Sequence, residues 1–179
     1  MDTIEVVDPG ILTTVQDLGR YGYQRYGVPV SGAMDLFALR VGNILVGNQE
    51  VDAGLEITLV GPRLRFLADT VIAITGADLD PTLDGHPVST WQPIVATKDS
   101  ILSFDAVQDG MRSYLAIAGG LDVAVVLGSR STFTRSKLGG LEGRALEPGD
   151  RLPTPGESPV LRVEGRKLPR EQVPTFGQS

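Results

Sequence analysis

The chain contains no cysteine and a single histidine, His86, in 179 residues. The first absence removes disulfides, thiolate zinc sites and cysteine nucleophiles together. The second excludes a multi-histidine metal centre, so only carboxylates and carbonyls could hold a metal, and none is expected. Positive charge is scarce as well. Sixteen Lys and Arg stand against 22 Asp and Glu, a net charge of -6, which argues against nucleic acid or an anionic membrane as partner. No run approaches the roughly 18 apolar residues that span a bilayer. The N-terminus, MDTIEVVDPG, is acidic and lacks an apolar core, so neither a membrane segment nor a secretory signal is expected and the default location is the cytoplasm.

What the chain does have is turn formers: 22 glycines and 12 prolines, about a fifth of its length. They leave little room for long helices and cut the sequence into short β-branched runs, at 3–7, 55–58, 64–66, 71–75, 93–96, 101–104 and 113–118. Asp8-Pro9-Gly10, Gly61-Pro62, Asp84-Gly85 and Asp109-Gly110 lie between runs and turn the chain. The expectation is a mainly antiparallel β protein with one principal helix, about residues 32–46, where Met34, Phe37, Ala38, Val41 and Leu45 recur at helical spacing. Ser31 would cap it, Asp35 would sit at the positive end of its dipole and Gly47-Asn48 would stop it. Gly42 weakens such a helix by about 1 kcal/mol, so packing against the sheet must hold it. From Pro153 onward, prolines at 153, 155, 159, 169 and 174 mark a linker, with Val160–Val163 as a short strand at most.

Two segments concentrate chemistry. Residues 13–35 read as a glycine-rich loop feeding a helix N-terminus, with three of the four tyrosines beside Arg20 and Arg25. That mixture suits a carboxylate or phosphate, or else it is a structural loop; it matches neither the Walker pattern nor G-x-G-x-x-G. Residues 128–132, Gly-Ser-Arg-Ser-Thr, combine hydroxyls, a guanidinium and bare backbone, suited to a carboxylate, phosphate or ureido group, or to a plain hairpin loop. His86 reads as a solvated residue of the Asp84-Gly85 turn, with a strand from Pro87. Glu56 alternates with Leu55 and Ile57, and Asp78 ends a strand, so each is either a general base or a surface carboxylate. Trp91 reads as core or rim packing.

These residues resemble the allophanate hydrolase subunit 2 family, which contains the C-type subunits of bacterial 5-oxoprolinase (PxpC, KipA) and part of the carboxyltransferase region of urea carboxylase. The resemblance rests, in family order, on TTVQDLGR at 13–20, GVPVSGAMD at 27–35, NILVGN at 43–48, LEIT at 55–58, ITGAD at 74–78, YLAIAGG at 114–120 and GSRST at 128–132. It implies a cyclophilin-like β-barrel over 1–152, the N-terminal half of a longer domain, with 153–179 as a Pro-rich linker toward a missing second half. It implies a partner of the allophanate hydrolase subunit 1 type (PxpB or KipI-like), a PxpA-like protein, and a small amide or carboxylate substrate. Family-patterned positions are Gln16, Asp17, Gly19 and Arg20 in the loop, Ser31, Gly32, Met34 and Asp35 at the helix start, Asn43, Glu56, and Gly128, Ser129, Arg130, Ser131 and Thr132.

Three functions follow as expectations. The leading one is a subunit of an ATP-dependent 5-oxoprolinase that opens 5-oxoproline to glutamate, with ATP bound by the complex. Arg20 or Arg130 would clamp an anion, N–H groups of Ser31 to Ala33 would stabilise developing charge, and Asp17, Asp35 or Glu56 would be the base. Gln16, Ser31, Gly32, Asn43, Ser131 and Thr132 would line the substrate. The second is carboxyl transfer from carboxybiotin to urea or a similar amide, although this chain has no Met-Lys-Met carrier motif. The third is a regulatory module of the KipA type that counteracts a kinase inhibitor.

Overall fold

The computed structural model describes residues 2–105, 107–155 and 165–176. Eleven strands and one α-helix follow in order: β1 (Asp2–Asp8), β2 (Leu12–Gln16), α1 (Leu36–Val46), β3 (Gly54–Thr58), β4 (Arg63–Phe66), β5 (Thr70–Asp78), β6 (Thr82–Leu83), β7 (His86–Pro87), β8 (Pro93–Ala96), β9 (Ile101–Ser103), β10 (Asp109–Ile117) and β11 (Arg151–Pro153). They form two sheets, β11-β1-β4-β9-β6-β7 and β2-β3-β10-β5-β8, antiparallel throughout. The mainly β architecture with one helix is therefore the one expected. Alternation explains the core: Ile4, Val6, Leu64, Phe66, Leu102 and Leu152 from the first sheet meet Val15, Leu55, Ile57, Ile72, Ile74, Leu115 and Ile117 from the second. Each such burial contributes about 1.5–3 kcal/mol.

Sequence reading missed β2 and β11 and began the glycine-rich loop at Thr13, although Thr13–Gln16 are strand residues. In β2 the residues Thr13, Thr14 and Gln16 are polar although they and Val15 are all buried, so no apolar alternation marks the strand, and β11 is only three residues long. The β6–β7 hairpin turns through Asp84 and Gly85, at φ 51° and 78°, as a two-residue turn requires. His86 is exposed on it, and the strand begins there instead of at Pro87.

The helix is shorter than expected. Ser31 and Gly32 have φ 55° and 88°, which no right-handed helix accommodates, and the Ala33 N–H donates to the Asp17 carbonyl. Asp35, not Ser31, is the cap, accepting from the Ala38 N–H at 3.0 Å. Its buried face is Ala38, Leu39, Gly42, Asn43, Leu45 and Val46, so the expected stripe is rotated: Met34 and Phe37 are 69% and 48% exposed. Gly42 explains the rotation. A Cβ there would lie 3.1 Å from Thr75 Oγ1 and 3.3 Å from the Ala116 Cβ, so the helix approaches β5 and β10 on its smallest residues. Gly47 terminates it at φ 84°, as expected.

The Pro-rich segment does not lead away from the sheets over its described part. The Leu168 N–H donates to the Trp91 carbonyl at 3.0 Å, and Leu168 and Val173 pack beside Ala38, Leu39, Trp91 and Tyr114. The strand expected at Val160–Val163 lies outside the described residues.

Candidate functional site

The two segments singled out in the sequence come together at the edge of β2. The Thr132 N–H and Oγ1 both donate to the Val15 carbonyl at 2.9 Å, which covers a strand edge that would otherwise lie open. Asp17 follows the strand and gathers the second segment around its carboxylate. Oδ1 accepts from the Gly19 N–H at 2.8 Å, Ser129 Oγ at 2.7 Å and Ser131 Oγ at 2.5 Å. Oδ2 accepts from the Arg130 N–H at 2.6 Å. Arg20 lies beside it, 1% exposed, donating to the carbonyls of Ser131 and Val126. Burial pulls its guanidinium below the usual arginine range, against the opposing pull of the Asp17 charge.

In this arrangement the residues of the two segments find many of their partners within the chain itself. The Asp17 carboxylate is engaged by four donors of the chain itself, three on Oδ1 and one on Oδ2, and the Arg20 guanidinium donates to two carbonyls, while its buried Nη1, like Gln16 Oε1, has no hydrogen-bond partner among the described residues. Ser131 and Thr132 are buried, and Gln16 Nε2 donates to the Thr132 carbonyl at 3.2 Å. Asn43 is fully buried and ties the end of α1 to the Asp52 carbonyl at 2.8 Å and to Asn48 Nδ2 at 3.0 Å. Ser31 and Gly32 supply left-handed backbone at the loop's bend. Arg130 is partly exposed, but its Nε donates to the Val123 carbonyl at 3.0 Å and its Nη2 lies 3.5 Å from Asp122. The donors expected for a phosphate are also engaged, because α1 starts at Leu36 and the Ala33 and Met34 N–H groups bind Asp17 and Glu56. The loop does not fit a triphosphate.

Glu56 is placed differently. It lies on the face of β3 turned away from the core, opposite Thr14 on β2 and Tyr114 on β10. Oε2 accepts from the Met34 N–H at 2.7 Å and from Tyr114 Oη at 2.8 Å. Tyr114 Oη in turn accepts from the Asp35 N–H at 2.7 Å. Asp35 therefore serves as helix cap and supports the tyrosine, with its carboxylate on Ala38. Glu56 Oε1 faces Arg112 Nε at 3.7 Å, too far for a hydrogen bond, and that buried Nε has no hydrogen-bond partner among the described residues. The two side chains are 13% and 30% exposed. An acceptor and a set of donors thus stand side by side, each with unfilled capacity, at a partly open surface. That is the complement of an amide edge, whose N–H meets the carboxylate while its C=O meets the guanidinium.

Sequence reading named Glu56 but missed Arg112 and Tyr114. Only the β3–β10 register, Glu56 opposite Tyr114 and Thr58 opposite Arg112, brings them to it, and a single strand's pattern does not contain its register. Trp91 is buried with its ring 6.1 Å from that of Phe37, the packing role expected. Asp78 is exposed and accepts from the Asp80 N–H at 2.9 Å.

Burial first, and the Glu56 charge second, push the Tyr114 phenol well above the usual tyrosine range. A folded-state value above the unfolded value of about 10 means that its stabilisation is complete below that pH and is lost as pH rises further. In an alkaline titration followed by phenolate absorbance, one of the four tyrosines is expected to ionise only as the chain unfolds. In Tyr114→Phe that late step disappears. Ionisation of all four in the folded chain would contradict the buried hydrogen bond.

Residues 26–178 match the family described as "Carboxyltransferase domain, subdomain A and B", and the chain belongs to it. Among relatives, the urea amidolyase of Saccharomyces cerevisiae is 41% identical over 98% of this chain and 10% of its own length. The C subunit of the Escherichia coli 5-oxoprolinase is 45% identical over 83% of this chain and 48% of its own length. The crystal structure of the K. lactis urea amidolyase superposes with a TM-score of 0.89 at 41% identity, over 98% of this chain and 11% of that one. The chain thus spans about half of the bacterial relative and about a tenth of the yeast one.

Proposed function

We propose that this chain is the amide-binding N-terminal part of a PxpC-type 5-oxoprolinase protein, acting in the cytoplasm with PxpA-like and PxpB-like partners to open 5-oxoproline to glutamate at the expense of ATP. The observation that supports the reading is the pairing of Glu56 Oε1 with the Arg112 guanidinium, two side chains that are 13% and 30% exposed. 5-Oxoproline is a cyclic amide: its ring N–H would donate to Glu56 and its ring C=O would accept from Arg112. Met34 N–H and Tyr114 hold the other Glu56 oxygen, so the carboxylate is oriented before substrate arrives. Opening breaks the ring C–N bond, adds the hydroxyl of water to the carbon and leaves a proton on nitrogen. Arg112 would stabilise negative charge on the carbonyl oxygen, and Glu56 would handle the proton. ATP would supply the driving force from the partner proteins.

The second reading is carboxyl transfer from carboxybiotin to urea, favoured by the close superposition on the urea amidolyase fold. Urea presents the same N–H and C=O edge to Glu56 and Arg112. One assay separates the two. The chain and the C-terminal half of the Escherichia coli relative are combined with PxpA-like and PxpB-like partners, ATP and 5-oxoproline, and in parallel with a carboxybiotin donor and urea. Glutamate from the first mixture, with none from this chain alone, is the expected result. Allophanate from the second mixture and no glutamate from the first would replace the first reading with the second.

A further inference from the structure

A cleft of about 600 Å³ shares no lining residue with the Glu56–Arg112 pair, and its volume falls within the roughly 300–1,000 Å³ of small-molecule sites. One wall is the stretch from Asp78 to Gln92, and the other is the Pro-rich segment from Lys167 to Thr175. Trp91 lines it at φ 59°, left-handed backbone that a bulky side chain rarely adopts. Its N–H donates to the Ile74 carbonyl at 2.7 Å, and its carbonyl accepts from the Leu168 N–H at 3.0 Å. Strain of this kind persists only where the surroundings over-determine it, and it clusters at ligand sites.

The charges are sorted by wall. Asp78 and Asp80 stand on one and Lys167 and Arg170 on the other, all four exposed. Among the described residues no ion pair joins the two sets. Asp78 Oδ1 accepts from the Asp80 N–H at 2.9 Å, which holds the two acidic residues together. Leu168 and Val173 add apolar surface beside Trp91, and Ser89 and Thr90 add hydroxyls. The complement of such a lining is a molecule with an ammonium at one end, a carboxylate at the other and an apolar body that carries amide groups.

We propose that this cleft binds a short apolar peptide with free ends. The peptide's ammonium would lie on Asp78 and Asp80, its carboxylate on Lys167 and Arg170, and its side chains against Trp91, Leu168 and Val173. A single amino acid would leave most of the volume to water. This binding does not depend on the 5-oxoprolinase reading, because it requires neither a partner protein nor turnover.

Trp91 is the chain's one tryptophan, so its emission reports on the cleft directly. The test titrates the chain with the tripeptide Ala-Leu-Ala at fixed ionic strength, following Trp91 fluorescence and, in parallel, heat by calorimetry. The expected result is saturable binding, weakened about 10-fold or more when the peptide is N-acetylated or C-amidated, as loss of a hydrogen bond to a charged group implies. The same loss is expected in the double variants Asp78→Asn with Asp80→Asn and Lys167→Gln with Arg170→Gln, which alter exposed side chains and are shown by thermal melts to fold. Arg112→Ala should leave the affinity unchanged. No saturable signal by either method overturns the proposal, as does equal affinity for the capped peptides or for free leucine. Binding that survives both double variants and is lost with Arg112→Ala also overturns it, because the peptide would then sit on the Glu56–Arg112 pair.

Discussion

Replacing Asp17 by alanine is expected to destabilise the chain by about 3–5 kcal/mol, the range for removing one partner from a buried charged network. The substitution strands four donors at once: the N–H groups of Gly19 and Arg130 and the hydroxyls of Ser129 and Ser131. It also removes the negative charge that offsets the desolvation of Arg20. For a domain of this size 1 kcal/mol corresponds to roughly 2–4 °C in Tm, so the melting temperature is expected to fall by about 10 °C, if a cooperative transition survives. Asp17→Asn keeps one acceptor oxygen and turns an amide toward donors, so its loss should be smaller but still above 1 kcal/mol. His86→Ala, on an exposed hairpin, should stay within about 0.5 kcal/mol of the unmodified chain. Denaturant titration of the three variants measures this ordering. A loss under 1 kcal/mol for Asp17→Ala would mean that the carboxylate is not what joins residues 128–132 to β2.

The same carboxylate shows how far the sequence could be read. Asp17, Arg20 and Ser129–Thr132 stood out because glycine-rich segments dense in hydroxyls and charges are the composition of an anion site. They are equally the composition of a loop that must satisfy its own backbone and cover an edge strand. Composition does not say whether Ser131 Oγ points at a ligand or at a carboxylate 114 residues away. The strands were legible where apolar residues mark them, as in Leu55-Glu56-Ile57 with one buried face and in Val71–Thr75 buried throughout, and were missed where the buried residues are mostly polar, as in Thr13–Gln16. The helix was legible from its periodicity, but its start was not. Ser31 reads as a good cap, and only the left-handed backbone at 31–32 pushes the first turn forward to Asp35. The stripe was rotated because periodicity counts apolar residues, whereas close packing on β5 and β10 selected the small ones, Ala38 and Gly42. Glu56 was visible as a charge in an apolar strand. Its partners were not, because Arg112 and Tyr114 reach it through cross-strand register and Met34 through the loop ahead of α1.

Glu56→Gln is the second substitution with a large expected effect, and it acts on turnover instead of folding. Glutamine retains an oxygen that can accept from the Met34 N–H and Tyr114 Oη, so the loop stays in place and stability should change by about 1 kcal/mol or less. It cannot take up a proton, and it presents an amide where the carboxylate faced Arg112. Loss of a general base costs about 10²- to 10⁴-fold, and kcat/KM of the complete complex is expected to fall by at least 10²-fold, mostly in kcat. Arg112→Ala should raise KM as well, because in the proposed reading the guanidinium would contact the substrate carbonyl in both the ground state and the transition state. Arg130→Ala removes a group already engaged with Val123 and Asp122 and should cost less than 10-fold.

The central claim is that chemistry on this chain belongs to the Glu56–Arg112 pair and not to the glycine-rich loop with residues 128–132. Its most direct test is kcat/KM for glutamate formation by the reconstituted complex carrying either Glu56→Gln or Arg130→Ala, each shown by thermal melting to be folded. The account predicts a loss of at least 10²-fold for Glu56→Gln and less than 10-fold for Arg130→Ala. The reverse ordering, with Glu56→Gln near full activity and Arg130→Ala inactive, would contradict it and return the site to the loop.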